Sequence, residues 1–247
     1  MRRIGMLTPS ANTSLEPVTS AIIGSVPDCS VHYSRFRVTR IGLDADAMAQ
    51  FDTRHLIEAA RLLADAAMDV IAWNGSSGSW LPNGKALDAN LCDAIQGETA
   101  IRATTMTFAV WDAFRALGIR RYSLVTPFTD DETRQIVRNY EEEGFNCLHF
   151  VNLPFKTTLE RGRATERQIG ELIRSAAYPG ADGIAVICTN LKAAPLLDEL
   201  ERELGVPIVD SIAATAWKSL EMVGNDRPVT GWGRLLYERR HVSETGA

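Results

Sequence analysis

Short apolar runs alternate with amphipathic stretches along almost the whole chain. Runs rich in Ile, Val, Leu and Ala over 3–8, 31–38, 69–73, 100–104, 121–126, 145–151, 184–187 and 206–210 read as strands. Most are continuous rather than alternating, the pattern of strands covered on both faces. Between them, apolar positions recur at helical spacing over 15–23, 46–67, 85–96, 107–117, 133–143, 164–177, 193–204 and 215–223. The longest carries Met48, Phe51, Leu56, Ala59, Ala60, Leu63 and Ala67 on one stripe. Pro9 followed by Ser, Asn and Thr is turn and N-cap chemistry, and Gly118 closes the helix over 107–117. Strands alternating with helices predict an α/β fold with mainly parallel sheets.

The pattern occurs twice. Leu7-Thr8-Pro9 matches Val125-Thr126-Pro127, and Asp69-Val70-Ile71-Ala72 matches Asp182-Gly183-Ile184-Ala185. Trp111 with Gly118 matches Trp217 with Gly224. The order is kept and the offset shrinks gradually, as loop insertions and deletions produce. Two pseudo-symmetric α/β domains are therefore expected, 1–118 and 119–247, with an active site in the cleft between them. Under this repeat Gly75 falls on Cys188, and Ser76-Ser77 falls on Thr189-Asn190.

Composition narrows the function classes. The 247 residues are 45% hydrophobic and 23% charged, ordinary for a globular chain with a full core. A net charge of −5 with dispersed Lys and Arg argues against nucleic acid, and Arg239-Arg240 is too short for a basic arm. No apolar run approaches the length of a membrane span, and the N-terminus lacks the form of a signal peptide, so a cytoplasmic protein is expected. Cys29, Cys92, Cys147 and Cys188 lie far apart without CxxC, which predicts free thiols and no zinc site. His32, His55, His149 and His241 are isolated, and Glu141-Glu142-Glu143 reads as a solvated helix end. The polar tail after Tyr237 is expected to be loosely held. GSSGS lacks the glycine spacing of a nucleophile elbow, and neither GxGxxG nor GxxxxGK[ST] occurs. Nucleotide binding therefore has no support in the sequence.

Open α/β sheets bind ligands just beyond the carboxyl ends of their strands. That places Cys188, Thr189 and Asn190 at a candidate site, with Gly75-Ser76-Ser77-Gly78-Ser79 opposite and Thr126-Pro127-Phe128-Thr129 beside them. Ser10, Asn12 and Thr13 supply further donors. Such loops bind carboxylates and developing oxyanions through N–H groups and hydroxyls. None of these loops carries a positive charge, so anion binding is expected to rest on neutral dipoles. Cys188 is the reactive group, a proton donor and acceptor or a nucleophile, with its thiolate expected to be favoured by a helix N-terminus. Cys29, Cys92 and Cys147 read as packing residues.

RIGMLTPSANTSLEP, WNGSSGSW, LVTPFTDD, ICTNLKAAP and WGRLL resemble, in order and over nearly the whole chain, the aspartate/glutamate racemase superfamily. Within it they are nearest to the branch of maleate cis-trans isomerases and arylmalonate decarboxylases. The resemblance implies two similar α/β domains, no cofactor, and a small carboxylate substrate bound between them. A homo-oligomer is compatible with it. Racemases and maleate isomerases of this group are expected to carry a cysteine in each half, whereas this chain keeps Cys188 and has Gly75 in place of the other. Arylmalonate decarboxylase shares that asymmetry, which implies Ser76 and Ser77 as oxyanion-hole hydroxyls and Cys188 as proton donor. The leading expectation is thus decarboxylation of a malonate-like acid through an enediolate. Cis-trans isomerisation or racemisation using Cys188 is the enzymatic alternative, and a non-catalytic small-acid binding module the other. One feature departs from the family: Phe128 stands where a tyrosine is usual. The lost phenolic donor is worth on the order of 3 kcal/mol unless Asn12 or Thr129 replaces it. Gly75 cannot act as acid or base, so the chemistry is expected to be one-sided, with a thiol on one face and open space on the other.

Overall fold

A computed structural model describes residues 1–39, 42, 44–153, 155 and 157–238. In the first half β1 (Arg2–Pro9), α1 (Leu15–Gly24), β2 (Cys29–Phe36), α2 (Ala45–Ala49), α3 (Thr53–Ala64), β3 (Val70–Trp73), α4 (Ser77–Trp80), α5 (Gly84–Thr99), β4 (Ala103–Thr105) and α6 (Met106–Leu117) follow one another. In the second half β5 (Arg121–Thr126), α7 (Asp130–Glu141), β6 (Asn146–Asn152), α8 (Thr158–Gly162), α9 (Glu166–Ser175) and β7 (Gly183–Val186) come first. A 3₁₀ turn at Ala194–Leu196, α10 (Leu197–Leu204), β8 (Ile208–Asp210), α11 (Ser211–Met222) and α12 (Arg234–Glu238) complete it.

The strands form two four-stranded parallel sheets, ordered β2-β1-β3-β4 and β6-β5-β7-β8. The shared order is the structural form of the sequence repeat. In each sheet the connections reverse direction between the two central strands. That switch point places the carboxyl ends of β1 and β3, and of β5 and β7, where a ligand crevice forms.

Strand periodicity divides the first sheet's side chains between two cores. Ile4, Met6, Val70 and Ala72 face a large core that continues into the second half. Leu7, Ile71 and Trp73 face a smaller one with Leu56, Ala60, Leu63, Leu91 and Ile95 from α3 and α5. α11 packs on α6, α1 and β3, which makes the larger core common to both halves.

Helix boundaries depart from the periodic pattern at capping residues. The single helix expected over 46–67 is two, because Asp52 accepts the Arg54 N–H and starts α3 afresh. Asp210 likewise caps α11 through the N–H groups of Ile212 and Ala213, beginning it four residues before the expected 215. The helix expected over 193–204 opens with the 3₁₀ turn containing Pro195, and α10 proper begins at Leu197. The short helices α4, α8 and α12 were not anticipated. The polar tail beyond Glu238, with Arg239, Arg240 and His241, lies outside the described residues. Among the described residues no helix is long and apolar enough to cross a membrane.

Candidate active site

Residues at or just beyond the carboxyl ends of β1, β3 and β7 line one small cavity. Pro9 and Asn12 come from β1 and its loop, Gly75, Ser76 and Ser77 from beyond β3, and Cys188, Thr189 and Asn190 from beyond β7. Val38, Phe51, Trp73 and Trp80 add an apolar wall, in which Phe51 and Trp80 meet edge to face at 5.4 Å. Thr158 and Arg161 of α8 complete it. The enclosed free space is about 20 Å³, about one water, so a larger ligand is admitted only as the lining side chains move apart.

Cys188 sits two residues past β7 and is buried. Its N–H donates to Ser211 Oγ at 3.1 Å, and its Sγ accepts the Asn190 N–H at 3.4 Å. Burial pushes the thiol up from its ordinary range, against smaller opposing effects of the Arg161 charge and of the N–H groups of Asn190 and Leu191. The expected helix N-terminus is absent, because a turn follows Cys188 and regular helix resumes only at α10. The structure therefore favours the protonated thiol, not the thiolate.

Opposite the thiol, Gly75 does not open onto free space. A Cβ there would lie 2.1, 2.3 and 2.6 Å from atoms of the Trp73 indole. The indole is fixed by its own N–H, which donates to Ser77 Oγ at 3.0 Å, and by the Phe36 ring at 5.1 Å. The expected vacancy on the second face is thus filled by a buried ring. Ser77 Oγ accepts the indole N–H, which leaves its O–H free to donate, and the Ser76 hydroxyl has no hydrogen-bond partner among the described residues. Nor do the N–H groups of Gly75, Ser76 and Thr189 meet an acceptor there.

Asn12 and Asn190 hold the cleft together. Asn12 Nδ2 donates to the Thr189 carbonyl at 2.9 Å and to its hydroxyl at 3.2 Å, while Oδ1 accepts the Ser14 and Leu15 N–H groups. Asn190 Oδ1 accepts the N–H groups of Thr13 and Ser14, and Nδ2 donates to the Thr158 carbonyl at 2.6 Å. Five other expected site residues stand back from the cavity. Ser10 Oγ is bound to the Val38 backbone, and Thr13 contributes its N–H to Asn190 with an exposed side chain. Thr126 pairs with Thr133 at 2.8 Å, Thr129 caps α7 with Glu132, and Phe128 is buried behind Arg161. Asn12 and Thr129 are therefore already committed and leave the donor missing at Phe128 unreplaced.

Arg161 overturns the expectation of a site built from neutral dipoles alone. It is 5% exposed, and its guanidinium carbon lies 4.9 Å from the Phe128 ring centroid. Nε and Nη1 have no hydrogen-bond partner, and no carboxylate pairs with the side chain among the described residues. No strand or helix was expected between 152 and 163, so Arg161 was not among the expected site residues. The signal was present in Thr157 followed by Glu160, a capping box that starts α8. Among the described residues no group of three or more His, Cys, Asp or Glu side chains is placed to hold a metal ion.

Two four-stranded parallel sheets of one strand order, with the cavity at their strand ends, agree with the aspartate/glutamate racemase superfamily. The chain belongs within it to the arylmalonate decarboxylase (Amdase) family, which matches residues 4–236. It is 31% identical to an arylmalonate decarboxylase of Bordetella bronchiseptica over 95% of this chain and 96% of that one. It is 28% identical to a maleate isomerase of Nocardia farcinica over 98% of both. The crystal structure of an arylmalonate decarboxylase superimposes with a TM-score of 0.80 at 29% identity, covering 96% of this chain and all of the other.

Proposed function

We propose that this protein decarboxylates a malonate-like small acid and protonates the resulting enediolate from Cys188. The observation that carries this reading is a single buried thiol, held protonated, facing a cavity whose opposite wall at Gly75 has neither acid nor base. In the step proposed, the bond from the α-carbon to one carboxylate breaks and CO₂ leaves. The electron pair passes to the retained carboxylate as an enediolate, and the Cys188 S–H proton is delivered to the carbon. The thiolate that remains recovers a proton from water. The hydroxyls of Ser76 and Ser77 and the N–H groups of Gly75, Ser76 and Thr189 are the neutral donors for the growing oxyanion charge. Ser77 positions the Trp73 indole that closes the second face. The wall of Val38, Phe51 and Trp80 suits the departing carboxylate, which loses its charge as it leaves.

Isomerisation of an unsaturated diacid is the second reading, favoured by the similarity to a maleate isomerase. It requires Cys188 to attack as thiolate, which burial disfavours. Four free thiols suit a reducing, cytoplasmic setting.

Substituted malonates and maleate, followed by NMR in D₂O, separate the two. Decarboxylation with one deuterium placed on a single face is expected, with a rate constant that holds into the alkaline range above pH ~8.5, where an ordinary thiol ionises. Cys188→Ala is expected to lower turnover about 10²- to 10⁴-fold. Turnover that survives Cys188→Ala sinks the mechanism, and fumarate formed from maleate selects the isomerase.

A further inference from the structure

Among the described residues, Arg161 is the one charged side chain lining the cavity, and no carboxylate pairs with it. A guanidinium does not lose its proton in a protein, so burial leaves it charged and incompletely solvated. The Phe128 ring beneath it offsets part of that cost through its π face but accepts no hydrogen bond from the fork. Two buried guanidinium nitrogens, Nε and Nη1, without an acceptor among the described residues are donors suited to an anion.

The guanidinium is held there. α8 begins at a Thr157–Glu160 capping box and is tied to Asn190 through the Thr158 carbonyl. At its other end Gly162 packs so closely that a Cβ would lie 2.3 Å from Thr13 Oγ1. Swinging Arg161 out to water requires breaking these contacts, so the charge is pre-organised for a ligand.

We propose that Arg161 is the charged arm of the carboxylate site: its guanidinium binds the carboxylate that stays on the substrate and carries the enediolate charge. This rests on the decarboxylase reading. As CO₂ forms, the departing group loses charge while the retained oxygens gain it. A fixed cation on the departing group stabilises the ground state against the reaction, whereas on the retained oxygens it stabilises the transition state. Arg161 thereby supplies the donor that Asn12 and Thr129 cannot. The substrate class follows: a dicarboxylate, with its retained end on Arg161 and the Ser76 region and its departing end against the aromatic wall.

The test uses the whole chain with Arg161→Met and Arg161→Lys, and malonate as the probe. In the non-reacting Cys188→Ser background, adding Arg161→Met is expected to weaken malonate binding about 10- to 100-fold by calorimetry. With Cys188 intact, Arg161→Met is expected to lower kcat about 10²- to 10³-fold, with Arg161→Lys in between. The unliganded Arg161→Met protein is expected to melt no lower than the parent, because it loses a buried unpaired charge. A lower melting temperature with unchanged malonate affinity makes Arg161 structural and overturns the proposal. A raised KM with unchanged kcat overturns it too, since the cation then binds ground and transition states equally, and a raised kcat overturns it by placing the cation on the departing carboxylate. If the parent decarboxylates nothing, the decarboxylase reading falls, while malonate affinity still reports whether Arg161 is the anion arm.

Discussion

Replacing Gly75 by cysteine tests the most specific packing claim about the second face of the site. The new Cβ meets three Trp73 indole atoms at 2.1–2.6 Å, where carbon contacts ordinarily lie near ~3.5–4.0 Å. The indole is 1% exposed and bound to Ser77 Oγ, so it cannot yield without losing a hydrogen bond and repacking against Phe36. Overpacking costs about 1–3 kcal/mol and the lost bond about 1 kcal/mol, so Gly75→Cys is expected to destabilise by about 2–4 kcal/mol. For a chain of this length each kcal/mol moves Tm by about 2–4 °C, so thermal unfolding is expected to drop by about 4–16 °C. Trp73→Leu destabilises by itself by leaving a cavity, but in its background Gly75→Cys is expected to cost nothing further, a coupling read by a double-mutant cycle. Only that double variant brings a second thiol to face Cys188 without the indole in the way, and only it is expected to exchange the α-proton of a product acid in D₂O. A single Gly75→Cys variant that melts within about 1 °C of the parent refutes the claim that Trp73 closes this face.

Burial pushes Asp88 and Asp210 up to about 7. Between about pH 4 and pH 7 the native chain therefore holds protons that the unfolded chain gives up, and stability falls as pH rises through that window, levelling off above it. Asp88→Asn is expected to flatten the fall, and an equal Tm difference from the parent at pH 5 and pH 8 would exclude that origin. Asn190→Ala removes the link between the first-half loop and α8, so it is expected to raise KM for a dicarboxylate more than it lowers Tm; unaltered steady-state kinetics would show that Arg161 needs no such support.

The α/β class, the internal repeat and the strand-end position of Cys188 were all legible, because they follow from hydrophobic period and from short segments read locally, whereas the order of the strands in each sheet came only with the structure. Helix ends were less so: Asp52 and Asp210 act through side-chain bonds to N–H groups two or three residues away, and periodicity is blind to these. Within the site, the loops beyond β3 and β7 were found because they follow apolar runs. Ser10, Thr126 and Thr129 have suitable side chains, but the backbone of Val38, the hydroxyl of Thr133 and the cap of α7 claim them first.

Sequence alone put Cys188 and Gly75 at equivalent positions after equivalent strands, and both line the one cavity. Only the tertiary structure decided what surrounds that pair. Arg161 and Arg163 stand two apart in a charged stretch, yet α8 turns the first into the cleft and leaves the second exposed. Trp73 reads as the last residue of a strand, yet its ring folds back over Gly75. Both outcomes depend on side-chain direction and on segments distant in the chain. The chain's order therefore shows which groups are available, while packing decides which of them a substrate meets.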